Sequence, residues 1–234
     1  MLDRNFWKKY FEVYDVLNRL IPYTMILDDM ISVAGELRGR RVLDLGSGTG
    51  NLAVMLCRSG ANVTAVDYSS EGQEIHSKKQ DCSDIVLHDI TQPLPFSNDS
   101  FDIVFSNNTL YTIPRHKRKK IFSEIYRITK PEGRVIVCNL NYLFDPKRIY
   151  LAHIRDSAKK HGLWKTIIDI FKLIVPTTKM FYYNYLIKKA NTKNVYDFFK
   201  EEEQADSLQE AGFSLSEKTK MHYAGQAFLD IGIK

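Results

Sequence analysis

Apolar residues change their spacing along the chain, from a helical period near the N-terminus to short continuous runs after residue 40. The N-terminal ones recur at intervals of three or four, as one face of a helix requires: Phe6, Tyr10, Val13, Tyr14 and Leu17. We therefore expect residues 3–37 to be helical. Pro22 should break the pattern, with a second helix running from Tyr23 to Glu36.

Short apolar runs then alternate with helical stretches. The predicted strands are 41–45, 62–67, 84–89, 101–107, 134–140, 213–223 and 226–233, and the helices between them include 50–59, 115–129 and 197–211. Strands that alternate with helices predict βαβ units and parallel pairing. The pattern thus predicts an α/β fold with a doubly wound, mostly parallel sheet of seven strands.

Residues 141–196 interrupt this alternation. They read as two or three helices punctuated by Pro146 and Pro176, so we divide the chain into 1–140, a helical insertion at 141–196, and 197–234. From residue 141 to residue 200 there are 12 Lys and Arg against 4 Asp, and 12 of the 28 aromatic residues. This composition suits an anionic or lipid-like partner, but a solvated helical cap explains it equally well.

Other features of the composition narrow the class. The chain has no apolar run of about 18 residues and no signal-like N-terminus, which predicts neither a membrane span nor secretion. Cys57, Cys82 and Cys138 are odd in number and far apart, so we expect no disulfide framework and no metal site. These observations together predict a cytoplasmic protein.

A glycine-rich turn follows the first strand, in the segment Asp44-Leu45-Gly46-Ser47-Gly48-Thr49-Gly50. Glycines at this place let a backbone approach a ligand closely. A nicotinamide or flavin protein would use the same device, but its next glycine position is Asn51 here. Asp44 suits a cationic group such as an α-ammonium. Asp67, at the end of the second strand, suits a ribose diol, with a helix N-cap as its structural alternative.

The later strands end in polar residues of the same kind. Asp89 and Ile90 follow the third strand, and Asn107 and Asn108 follow the fourth. Open α/β sheets bind their ligands at this edge. We expect an acidic acceptor and an apolar face there, both of which suit an adenine ring.

Residues 40–140 resemble the core of the class I S-adenosylmethionine-dependent methyltransferases, in the branch of small-molecule and quinone enzymes. The resemblance rests on four ordered segments, VLDLGSGTG, AVD, LPF…SFDIVFSN and KPEGRVIV. It implies S-adenosylmethionine as the cofactor and a Rossmann-like fold.

The resemblance also implies roles. Gly46, Ser47, Gly48 and Gly50 would hold the methionine part of the cofactor and Asp44 its amino group, while Asp67 and Tyr68 would bind the adenosine. Asp89 and Ile90 would face the adenine, Asn107 and Asn108 would lie near the sulfonium, and Tyr10 and Tyr14 would cap the pocket. Core packing is the structural alternative for both tyrosines.

Methyl transfer demands little of the protein, because placing a nucleophile in line with the methyl group supplies much of the rate advantage. A base is needed only where the acceptor must lose a proton. The candidates are His88, His153 and His222, with Tyr111 on the acceptor side. A purely structural role is the alternative for each histidine.

Three functions compete. The first is methylation of a small lipophilic acceptor such as a quinone, polyketide, terpenoid or lipid-like molecule, including a phospholipid head group. The second is methylation of nucleic acid or protein, against which SNNTLYT stands where amino-methylating DNA enzymes carry an Asn-Pro-Pro-Tyr-like tetrapeptide. The third is a non-catalytic module that kept the fold.

The insertion is expected to be the lid of the acceptor pocket. Its most apolar helix should turn Ile167, Phe171 and Ile174 inward, with Lys165 and Lys172 away from that stripe. Peripheral contact of 141–196 with a membrane is the alternative for the same stripe.

Overall fold

Eight strands form one sheet in the computed structural model, which describes residues 4–79, 82–191 and 197–234. The strands are β1 (Arg41–Leu45), β2 (Asn62–Asp67), β3 (Ser83–Leu87), β4 (Phe101–Asn107), β5 (Thr129–Leu140), β6 (Ser214–Leu215), β7 (Lys220–His222) and β8 (Ala227–Ile233). The helices are α1 (Arg4–Tyr14), α2 (Ile21–Ala34), α3 (Asn51–Arg58), α4 (Ser70–Ser77), α5 (Arg115–Ile128), α6 (Pro146–His161), α7 (Leu163–Asn191) and α8 (Glu203–Ala211). Short 3₁₀ turns cover Asp15–Arg19 and Leu110–Thr112.

The strand order explains where a ligand can bind. The sheet runs β3-β2-β1-β4-β5-β8-β6, with β7 also paired to β8, and its first five strands are parallel. The connection reverses direction between β1 and β4, so a crevice opens at their carboxyl ends. Residues 42–45 of β1 are all buried, which requires cover on both faces of the sheet.

The α/β fold class and the mostly parallel sheet are confirmed, but the strand count of seven is wrong. The predicted strand 213–223 is two short strands, β6 and β7, which pair with opposite ends of β8. The last helix begins at Glu203 rather than at 197. The predicted break near Pro22 is confirmed: Leu20 is extended and a second helix follows, although α2 begins at Ile21 rather than at Tyr23, with Pro22 in its first turn, where a missing N–H costs nothing.

The insertion consists of α6 and the long helix α7, which continues through Pro176. The stripe predicted to face inward instead faces outward, since Ile167, Phe171 and Ile174 are exposed. The buried stripe holds Leu173 and Met180. This part of α7 is apolar nearly all round, so its spacing alone could not tell which face packs on the body.

The cysteines also differ from expectation. Cys57, in the last turn of α3, forms a disulfide with Cys82 next to β3, with Cα atoms 6.1 Å apart, whereas Cys138 is free and buried. Residues 25 apart in sequence meet because α3 returns the chain to the edge of β3. The prediction of a cytoplasmic location used the absence of a disulfide and loses that premise. Within the described residues, no helix is long and apolar enough to cross a membrane.

Candidate cofactor and acceptor site

A large cavity lies at the carboxyl ends of β1, β2 and β4 and is roofed by α1 and α7. Its empty volume, mouth included, is about 1120 Å³. The glycine turn and the ends of β2 and β4 line one part of the cavity, and α1, α7 and the turn after β7 line another.

The glycine turn forms the floor of this cavity. The N–H groups of Gly46 and Ser47 both donate to the carbonyl of Val66, at 2.7 and 3.0 Å, which ties the turn to β2. Gly46 has φ +80°, and a Cβ there would overlap the side chain of Thr109. Only glycine meets both conditions.

Gly50 has a different role from its neighbours. It precedes α3 with φ +76°, and a Cβ there would overlap the ring of His76. Gly46, Ser47 and Gly48 line the cavity, whereas Gly50 does not. The structure thus gives Gly50 a packing role, away from the cofactor contact that the resemblance implied.

Asp67 is buried at the end of β2. Its Oδ2 accepts the N–H of Gly48 and its Oδ1 accepts the N–H of Ser69, both at 2.8 Å. Ser69, not Asp67, caps α4 by accepting the N–H of Gly72. Burial raises the pKa of the Asp67 carboxyl, and the backbone N–H donors oppose that rise. A carboxylate retains lone pairs beyond these two bonds and can still accept ribose hydroxyls.

Ionisation of the Asp44 carboxyl is unfavourable in this site without a ligand. Burial and the neighbouring charge of Asp67 raise the pKa of Asp44 to about 7, with partial relief from the N–H of Ala53. A cation placed beside Asp44 would relieve this cost.

Unpartnered atoms show what the site lacks. Among the described residues, six buried side-chain atoms have no hydrogen-bond partner, and four of them belong to residues of this cavity: Asp44 Oδ2, Ser47 Oγ, Asn107 Oδ1 and Asn108 Oδ1. Three of these four are acceptors only, so they call for a donor-rich, cationic group. The amino-acid portion of S-adenosylmethionine, with its ammonium, fits this requirement.

The other wall suits a flat ring. Tyr68 is half exposed at the rim, Ile90 is buried, and Asp89 is exposed with its Oδ1 accepting the N–H of Thr91 at 2.8 Å. All three line the cavity, as expected. An apolar side chain beside an exposed carboxylate is the arrangement anticipated for an adenine and its amino group.

Tyrosines dominate the remaining lining. Tyr10, Tyr14, Tyr23, Tyr111 and Tyr223 surround this part, and burial is the main cause that raises the pKa of four of these phenols: Tyr10, Tyr14, Tyr23 and Tyr223. The hydroxyls of Tyr14 and Tyr23 are 3.5 Å apart. Phenols with raised pKa values stay neutral, so they act as hydrogen-bond donors and apolar walls rather than as bases.

The predicted histidines do not reach the cavity. The ring of His88 bonds the carbonyl of Pro93 at 3.0 Å, His153 accepts the N–H of Ile21 at 3.2 Å, and His222 pairs with Asp29 at 3.0 Å. None of the three lines the cavity. Tyr111 does line it, together with Asn107 and Asn108.

Sequence reasoning missed several lining residues. Tyr23 and Tyr223 come from α2 and the turn after β7, and Asn184 comes from α7. No local pattern marks them as site residues. Trp7 and Phe11 on α1 lie next to the predicted tyrosines, and their aromatic run was the available signal.

Comparison with known proteins agrees with this geometry. The family model described as a methyltransferase domain matches residues 43–137, which run from β1 into β5. Residues 43–137 are therefore similar to methyltransferase domains. They carry the glycine turn, both buried aspartates and the two asparagines of the cavity. This match confirms the resemblance to methyltransferases over these residues.

Known proteins are similar to parts of this chain. A demethylmenaquinone methyltransferase of Clavibacter sepedonicus is 35% identical over 105 residues, 44% of this chain and 42% of that protein. One of Streptomyces avermitilis is 32% identical over 134 residues, 56% of this chain and 57% of that protein. The chain thus aligns with only about half the length of these relatives. A crystal structure of an S-adenosylmethionine-dependent methyltransferase from Aquifex aeolicus shares the fold, with a TM-score of 0.63, 15% identity, and 100% and 99% coverage of the two chains.

Proposed function

We propose that this chain binds S-adenosylmethionine in the cavity and catalyses transfer of its methyl group to a small, lipophilic acceptor. The observation that carries the proposal is the set of four unpartnered polar atoms in a cavity whose remaining lining is dominated by buried tyrosines. We call the part around these atoms the polar half and the part lined by the tyrosines the apolar half. The polar half favours a cation and the apolar half an apolar molecule, so the cavity suits two different molecules. The acceptor class includes quinones, polyketides, terpenoids and lipid-like molecules.

The polar half would hold the cofactor. Asp44 would meet its ammonium, Asp67 its ribose hydroxyls, and Ile90 its adenine. The bound sulfonium supplies an electrophilic methyl group. Asn107 and Asn108, at the end of β4, would orient this part of the cofactor toward the tyrosines.

The apolar half would hold the acceptor. Besides the tyrosines, it is lined by Leu140, Phe144, Ile149 and Met180, the last three from the insertion. These side chains exclude water and favour an apolar molecule. Support for this acceptor class also comes from the relatives named demethylmenaquinone methyltransferase.

The side chains of the cavity would contribute little to proton transfer in this reaction. The described lining of the cavity contains no His, Lys, Glu or Cys. The acceptor would therefore attack through an atom that is already nucleophilic, or through one that ionises on its own near neutral pH. The chain would contribute orientation, and the acceptor's proton, where there is one, would leave to solvent.

The enclosed, aromatic character of the acceptor half favours a small molecule over nucleic acid or protein. A phospholipid head group would meet few polar partners among these side chains. Location in the cytoplasm stays a prediction, as does the division into 1–140, 141–196 and 197–234.

The test has two stages. Calorimetry should show micromolar binding of S-adenosylhomocysteine, about −8 kcal/mol, and no comparable binding of NAD. Transfer of labelled methyl groups is then measured with hydroxylated naphthoquinones, with ethanolamine phospholipids and with RNA. Preference for NAD refutes the cofactor, whereas cofactor binding with methylation only of RNA or phospholipid refutes the acceptor class.

A further inference from the structure

The outer face of α7 carries an unusual amount of exposed apolar surface. Between residues 163 and 175 of α7, seven large apolar side chains have at least two fifths of their surface accessible, and we call them the outer stripe: Leu163, Trp164, Ile167, Ile168, Phe171, Ile174 and Val175. Trp164 is 80% exposed and Phe171 70%. Single exposed apolar residues are ordinary, but seven contiguous ones on one helix call for a partner.

A row of lysines borders the outer stripe. At 3.6 residues per turn, the stripe spans an arc of roughly 140°. Lys165, Lys172 and Lys179 follow one another at seven-residue spacing and fall together along one edge of that arc, and all three are exposed. Asp169, the one acidic residue of α7, lies about 40° beyond the lysine row, on the side of the buried Leu173.

We propose that the outer stripe docks on the surface of an anionic lipid bilayer. Trp164, Phe171 and the aliphatic side chains would enter the interface, while the lysines would extend their ammonium groups to phosphate head groups. No described helix can span a membrane, so the contact is one of a helix lying in the surface plane.

Charge favours a bilayer over a second copy of this chain. The insertion region from 141 to 200 has three times as many Lys and Arg as acidic residues. Two copies packed through their outer stripes would bring two lysine rows together with few acids to neutralise them. An anionic membrane places a phosphate head group near every lysine of the row.

The position of α7 links this surface to the cavity. On the opposite side of the helix, Met180 and Asn184 line the cavity. One helix would thus touch the bilayer outside and the cavity inside. A route for a lipophilic acceptor along α7 rests on the proposed function. The docking itself does not, and it is measured without cofactor or acceptor.

The test is co-sedimentation with lipid vesicles. The full chain is mixed with vesicles of phosphatidylcholine alone, and with vesicles that also contain phosphatidylglycerol, at low and at high salt. Binding to the anionic vesicles that weakens at high salt is the expected result. Binding to neither vesicle overturns the proposal.

Variants localise the contact. Lys165→Gln/Lys172→Gln/Lys179→Gln should weaken anionic-vesicle binding about a hundredfold. The matched control removes three exposed lysines of α5, Lys117, Lys119 and Lys120, also as Gln, and should change binding less than threefold. An equal loss in both variants refutes docking through α7.

The apolar contribution is tested in the same assay. Trp164→Gln/Phe171→Gln should lose at least tenfold in binding, since each ring leaves the interface. Both residues are exposed, so folding should survive, and circular dichroism checks this. The control is Leu87→Gln/Met221→Gln, at exposed apolar positions elsewhere (58% and 55%). The stripe would instead be a subunit interface if two results came together. These are no vesicle binding, and a stable dimer in light scattering that Trp164→Gln/Phe171→Gln dissociates.

Discussion

Asp44→Asn should change stability and cofactor affinity in opposite directions. Asp44 is 2% exposed, and its pKa is raised to about 7 from an ordinary value of 3.8 by burial and by the charge of Asp67. A carboxyl whose folded-state pKa is raised stabilises the fold while protonated. That stabilisation is lost as the pH rises toward about 7.

The magnitude follows from the two pKa values. About three pH units at 1.36 kcal/mol each give an upper bound of about 4 kcal/mol for the cost of ionised Asp44. Asparagine removes this charge but leaves a buried N–H without a partner, which costs about 1–3 kcal/mol. Near pH 8 the free energy of unfolding of the ligand-free Asp44→Asn variant should therefore exceed that of the parent by about 2 kcal/mol.

The pH dependence is the sharper part of the test. Near pH 5 the parent holds Asp44 largely protonated, so the advantage of asparagine should shrink by about 3 kcal/mol. Affinity for S-adenosylhomocysteine should instead fall at least tenfold, because a charge-assisted contact of about 1.5–3 kcal/mol is lost.

Urea unfolding at both pH values and calorimetry provide the measurements. Asp102→Asn is the control: burial opposes ionisation there too, but hydrogen bonds from Lys130 and from the N–H of Arg41 lower the pKa of Asp102. That variant should lose stability near pH 8 and keep cofactor affinity. The reasoning fails if Asp44→Asn is less stable than the parent near pH 8, or if its stability difference does not vary with pH.

Three further predictions follow from the same geometry. Gly50→Ala should destabilise the fold by about 3 kcal/mol or more in urea unfolding because its Cβ overlaps a buried ring, whereas Gly39→Ala, with similar φ but open space, should cost only about 1 kcal/mol. Asp67→Ala should weaken S-adenosylhomocysteine binding at least tenfold in calorimetry, whereas Asp89→Ala, at an exposed position, should weaken it less. A larger loss of affinity in Asp89→Ala than in Asp67→Ala would contradict the assigned roles. His153→Gln should leave kcat/KM for methyl transfer within threefold, since the ring lies outside the cavity, and a loss above a hundredfold would place a base there after all.

Much of the site could be predicted because its chemistry is local. Asp44, Gly46 and Gly48 sit in one short turn, and the strand that precedes it is marked by a continuous apolar run. Asp67 and Asn107 follow strands that are equally clear. Parallel strands bring their carboxyl ends to one edge, so residues far apart in sequence meet there without any further information.

Other features depended on contacts that no local pattern records. The histidines were candidates by their chemistry alone, and the structure placed them outside the cavity. Tyr23, Asn184 and Tyr223 come from three separate elements and meet only after those elements have packed. The pairing of Cys57 with Cys82 likewise depends on how α3 returns toward β3.

The sequence by itself determined the α/β class and which five segments of the chain become the parallel strands. It also determined the glycine turn with its two buried aspartates. These features are local, because strand period and turn chemistry act over a few residues. Only the tertiary structure decided which side of α7 faces the body. That helix is apolar on both sides, so its period fits either orientation equally well. The choice came from packing of Leu173 and Met180 against the rest of the chain, which left Trp164 and Phe171 in solvent.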